Sequence, residues 1–127
     1  MFCSKNGKNP IITDFDTPVL SYKHVGWAGR ITFIKVDDNK NGTKIRDEKE
    51  TTIKFTPDEK IKLDSLIVQF PEFERTYKPE IGTCCDIDFH YLVHYTGFEP
   101  DSISIFEPLE IVPMRLRKFV ELFMAKL

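Results

Sequence analysis

No Lys or Arg lies between Lys78 and Arg115. The same stretch carries seven carboxylates: Glu80, Asp86, Asp88, Glu99, Asp101, Glu107 and Glu110. The segment up to Lys78 is slightly basic and the tail from Arg115 is clearly so, so the formal charge of −2 hides an internal asymmetry. A field of one sign steers an oppositely charged partner and repels like-charged ones. The implied partner is basic, most simply a nucleic-acid-binding protein or a nuclease. The competing expectation is that the seven acids scatter over several strand faces and pair with cations from elsewhere in the chain.

Cysteine is scarce. Cys3, Cys84 and Cys85 make an odd count without framework spacing, which argues against a secreted disulfide scaffold. No Cys-x-x-Cys pair is present to build a zinc knuckle or a redox site. No apolar run approaches the roughly 20 residues of a membrane helix. The first ten residues are polar and show no secretory signal, so a cytoplasmic location is the default expectation. The phosphate-cradling glycine motifs and the G-x-S-x-G nucleophile elbow are missing too. Basic residues are dispersed among acids, so no direct nucleic-acid partner is expected.

What is present is an ordinary globular composition. The 127 residues suit a single domain, 1–127, with 41% hydrophobic and 30% charged residues. Eleven Phe point to an aromatic-rich core. Residues 17–24 read as a first strand, followed by a turn around Trp27. Residues 30–36 (RITFIKV) are β-branched and aromatic, a second strand. The turn formers after it end in Asn41-Gly42, a strong hairpin signal, and residues 51–55 are expected to pair back onto that second strand.

Thr56-Pro57-Asp58-Glu59 writes out a helix start: a capping Thr, Pro at the first position and Glu as the capping-box partner. Leu63, Leu66, Ile67 and Phe70 then form one apolar face, and Pro71 ends the helix. Residues 86–95 alternate, with Ile87, Phe89, Tyr91, Val93 and Tyr95 on one face. Asp86, Asp88, His90, Leu92 and His94 lie on the other, a polar face that is either solvent-facing or covered by a helix. Short strands are expected at 102–106 and 109–112. A last helix from Pro113 repeats Leu116, Phe119, Val120 and Phe123. The pattern predicts an α+β fold: an antiparallel β-sheet with two helices, about 57–70 and 113–126, packed on one face.

The run Asp37–Glu48 matches the calcium-loop template, with Asp37, Asn39, Asn41 and Glu48 as oxygen donors. A strand precedes it where an entering helix belongs, and Lys44 occupies a position that is usually apolar, so a polar hairpin is the better reading. His90 and His94 share a strand face at a separation of roughly 13 Å, too far for one metal ion. The candidate partner-binding set is Glu80, Asp86, Asp88, Tyr95, Phe98, Glu99, Asp101, Glu107 and Glu110. No catalytic residue, metal ligand or cofactor is assigned. The function these features suggest is a small binding or inhibitor protein that neutralises a basic partner, as a bacterial immunity protein blocks its toxin nuclease. The alternatives are a small enzyme with an Asp/His site on the strand at 86–95, and a calcium-binding module at 37–48.

Overall fold

The computed structural model describes residues 18–26, 29–79, 88–96 and 99–127. The strands are β1 (Leu20–Val25), β2 (Ile31–Val36), β3 (Gly42–Arg46), β4 (Lys49–Ile53), β5 (Thr76–Tyr77), β6 (Phe89–Thr96) and β7 (Glu99–Phe106). The helices are α1 (Pro57–Gln69) and α2 (Met114–Met124). Among the described residues seven strands form one sheet in the order β4-β3-β2-β1-β6-β7-β5. Neighbours are antiparallel except β5, a two-residue edge strand that runs parallel to β7. The expected α+β fold is the observed one, with a mixed rather than purely antiparallel sheet.

Alternation decides which face is covered. Along β2, Thr32, Ile34 and Val36 are buried while Ile31, Phe33 and Lys35 are exposed. The registers place Leu20, Tyr22, Ile34, Val36, Leu92, Ile103 and Ile105 on the same inner face. There they cluster with Leu63, Leu66 and Phe70 of the α1 region and with Leu116, Phe119, Val120 and Phe123 of α2. Each fully buried Leu or Phe contributes about 1.5–3 kcal/mol relative to its exposed state. The ring of Phe123 stacks on Tyr22 at 5.0 Å and ties the last helix to the centre of the sheet.

The start of α1 is as the sequence predicts. Glu59 N–H donates to Thr56 Oγ1 at 3.1 Å, and Thr56 N–H donates to Glu59 Oε1 at 2.8 Å. These contacts, the Thr56 backbone bond first among them, hold the Glu59 carboxyl below its usual range. Pro71 turns the end of the helix into a 3-10 turn, Phe70–Glu72.

Several expectations are corrected. Residues 51–55 do not return to the second strand; β3 intervenes, and β4 pairs with β3. Gly42 is not the turn residue of the Asn-Gly pair. The turn is closed earlier, where Asp37 Oδ1 accepts from the N–H groups of Asn39 and Asn41, both at 2.9 Å. Gly42 is the first residue of β3, and a Cβ there would lie 2.7 Å from the Phe55 ring. Close packing, not turn conformation, demands the glycine. Residues 109–112 form no strand: both sides of β7 are taken, by β6 and β5, and Leu109–Ile111 closes as a 3-10 turn. The candidate calcium run is split by β3, with Asp37 at one turn and Glu48 at the next, so 37–48 is a pair of hairpin turns.

Candidate functional site

Two arrangements stand out, one on each face of the sheet. On the inner face, His24 of β1 faces His90 of β6, and their rings lie 5.2 Å apart. His90 is completely buried, the helix-covered one of the two positions its face allowed. The alternation was right, and the face it shares with Leu92 is the helix-covered one. His90 Nδ1 sits 2.7 Å from Tyr22 Oη, and His90 Nε2 sits 2.8 Å from Glu107 Oε2. Burial pushes the His90 imidazole below its ordinary pKa, and Glu107 only partly opposes this. Burial, reinforced by the charges of Glu107 and Asp88, pushes the Tyr22 hydroxyl well up. Both groups are therefore neutral near pH 7, and one tautomer satisfies every atom: Tyr22 O–H donates to Nδ1, and Nε2–H donates to the Glu107 carboxylate.

Two of the three members of this relay are closed off from solvent, and Glu107 is partly exposed. Tyr22 and His90 have no exposed surface, so neither can touch a substrate. At its rim, His24 Nε2 meets Asp88 Oδ2 at 3.0 Å, with both side chains partly exposed. They border an open cleft of about 710 Å³ that Arg30, Thr32 and Arg46 also line. Arg46 Nε–H donates to Thr32 Oγ1 at 3.0 Å. Among the described residues no group of three or more His, Cys, Asp and Glu side chains is arranged to hold a metal ion. The Asp/His site imagined on the strand at 86–95 is thus shared between strands: Asp88 and His90 approach each other through His24, while His94 lies apart, 5.5 Å from the Phe70 ring. Partial burial holds the His94 pKa below its ordinary value, with Asp101 opposing.

The outer face is different. Lys23 pairs in register with Phe33 on one side and Tyr91 on the other. Its Nζ lies 5.9 Å from the Phe33 ring centre and 5.5 Å from that of Tyr91, a cation between two π faces. One row further along, Ile31, Val25, Phe89 and Phe106 follow across β2, β1, β6 and β7. Phe89 packs against Phe106 at 4.8 Å and stacks beside Tyr91 at 6.2 Å. Phe33 is 40% exposed and Ile31 46%. Phe89, Tyr91 and Phe106 are half-buried on the face away from the core, and the core aromatics are Tyr22, Phe55, Phe70, Phe73, Tyr77, Phe119 and Phe123.

Of the acidic set, Asp88 and Glu107 lie side by side, joined by the Glu107 N–H donating to the Asp88 carbonyl at 3.2 Å, and Asp101 is paired elsewhere. Asp88 bonds His24, Glu107 bonds His90, and Asp101 bonds Arg75. Glu110 is exposed, at a 3-10 turn, and Tyr95 is partly exposed. Glu80, Asp86 and Phe98, like Trp27 and the three cysteines, lie outside the described residues, as does the side chain of Glu99. Sequence reasoning missed Tyr22, Lys23, His24 and Phe33, whose roles depend on which strands become neighbours. No helix among the described residues is long and apolar enough to cross a membrane. No protein-family model, curated protein or solved structure matches this chain.

Proposed function

We propose that the protein works by binding an extended macromolecular partner across the outer face of its sheet, and not by turnover. The observation that carries this reading is the row Ile45–Phe33–Lys23–Tyr91, which sets two aromatic rings, a sandwiched cation and an aliphatic side chain across β3, β2, β1 and β6. An antiparallel sheet with one open face ordinarily alternates apolar inside and polar outside. Tyr, Phe and Ile at outward positions instead supply the rigid contact area of interface anchors. The inner polar cluster supports the same reading, because Tyr22 and His90 of its relay are fully buried and bonded to each other.

A basic protein partner, such as a toxin nuclease neutralised by an immunity protein, is the reading of the charge pattern. It has less support, since Asp101 is paired with Arg75, and Asp88 and Glu107 are bonded to His24 and His90 on the inner side of the sheet. An acid–base enzyme built on His24 and Asp88 at the open cleft is the other-class alternative; the hydroxyl nearest them in register, that of Thr32, is nearly fully buried and accepts from Arg46 Nε–H.

The test is site-directed photo-crosslinking in native cells. A photoreactive phenylalanine analogue at position 33, and separately at 91, is expected to give a discrete adduct. The same analogue at Val68, exposed on α1, is expected to give none. Adducts at 68 only, or none at 33 and 91, would remove the sheet face as the binding surface.

A further inference from the structure

We propose that the partner of the outer face is single-stranded nucleic acid, an inference that rests on the binding reading above. Charge is the first argument. Over β1, β2, β6 and β7 the outward positions hold Lys23 and Lys35 and no carboxylate. Asp101 of β7 does not break this: it pairs with His94, on the inner side of the register. Glu50 of β4, opposite Ile45, is an outward carboxylate at the end of the row, while the positions around Lys23 carry none. In a chain with a net charge of −2, the centre of this face is therefore locally cationic, and its natural complement is anionic.

The second argument is shape and chemistry. Phe33 and Tyr91 sit on strands that flank β1, so their rings stand roughly 10 Å apart across the sheet with Lys23 between them. Phe89 and Phe106 extend the aromatic surface by one row. An acidic peptide answers the lysines but has no planar groups for the rings. A single strand answers both: its phosphates meet the ammonium groups, and its unpaired bases stack on aromatic side chains. Ser21, Ser102 and Ser104, in the same and the adjacent rows, add hydroxyl groups able to bond phosphate or base edges. A duplex, its bases already stacked on each other, offers no faces to these rings.

The experiment is fluorescence anisotropy with a labelled 15-nucleotide oligo-dT and a labelled duplex of equal length, at 50 and 200 mM salt. The single strand is expected to bind saturably and the duplex more weakly. The Phe33→Leu and Tyr91→Leu variants keep the apolar bulk but lose the ring, and each is expected to weaken binding about 5- to 150-fold. Lys23→Gln is expected to flatten the salt dependence by about 0.7 in log–log slope. Val68→Ser, on the helix side, is expected to change nothing. No saturable binding at 50 mM salt, equal affinity for the duplex, or indifference to both Leu variants would each overturn the proposal. Crosslinks at positions 33 and 91 that survive nuclease and vanish with protease would overturn it while leaving the binding reading standing. Absence of crosslinks there would sink the binding reading itself.

Discussion

The hydroxyl of Tyr22 lies 2.7 Å from Nδ1 of His90, sixty-eight residues away in the chain, and neither side chain has any exposed surface. The pair joins a central strand of the first half to a central strand of the second through one neutral hydrogen bond. A buried polar group stabilises only while its partner is present; once orphaned it costs its full desolvation. Tyr22→Phe keeps the stacking on Phe123 and removes only the oxygen. It should destabilise the protein by about 1–3 kcal/mol in urea melts. A loss below about 0.5 kcal/mol would mean that Nδ1 has another partner.

The same histidine makes stability depend on pH. His90 has a folded-state pKa below its ordinary 6.5, because burial disfavours the charged ring. The unfolded chain therefore takes up a proton at a higher pH than the folded one. Stability is full above about pH 6.5 and falls as the pH drops toward the lower folded value. The slope from His90 is no steeper than about 1.4 kcal/mol per pH unit. His94, also shifted down by burial, acts in the same direction. Denaturant midpoints between pH 7.5 and 5 should decline, and His94→Gln should make the decline shallower. Rising stability over that range would show that His90 is charged in the fold, held by Glu107.

Gly42 tests close packing. Its Cα faces the Phe55 ring so tightly that an added Cβ would lie 2.7 Å from Cε2 and 3.3 Å from Ile53 Cβ. Gly42→Ala forces the ring or the strand to move, an overpacking cost of about 1–3 kcal/mol. Phe55→Leu in the same background should recover part of that loss, giving a favourable coupling in a double-mutant cycle. Additive losses would place the clash elsewhere.

The helices were legible because their signals are local. The Thr56–Glu59 capping box and the apolar spacing of Leu63, Leu66 and Phe70 need no knowledge of the rest of the fold. The alternation of β6 was legible for the same reason. Which of its faces is buried was not, because that depends on where α2 docks, and a strand bearing both Phe89/Tyr91 and His90/Leu92 offers two plausible inner faces. The site was hidden more deeply. His24, Asp88, His90 and Glu107 come from three separated segments, and Phe33, Lys23 and Tyr91 form a row only after β1 is inserted between β2 and β6. The long cation-free stretch was a genuine feature of the sequence. Three of its acids, Asp88, Glu107 and Asp101, meet His24, His90 and Arg75, two of which lie outside that stretch, so a charge count along the chain does not show which acids have partners across the fold.

The β3–β4 hairpin supplies the last prediction. Asp47 and Glu48 form its two-residue turn, and both have positive φ, 53° and 66°. That is the signature of a type I′ turn, which favours Asn-Gly because it asks both central residues to adopt the left-handed region. The sequence placed its Asn-Gly pair at 41–42, where no such turn forms, and put two acids where one does. A non-glycine residue in that region costs roughly 1–2 kcal/mol, less for Asp than for Glu. The double change Asp47→Asn plus Glu48→Gly should therefore stabilise the protein by about 0.5–2 kcal/mol, with most of the gain coming from position 48. The chain entropy of the added glycine opposes this and sets the lower end of the range. Both side chains are exposed, so no buried contact is lost. A thermal melt of the single and double variants measures it. Destabilisation by Glu48→Gly alone would mean that the Glu48 side chain makes a contact stronger than the strain it bears.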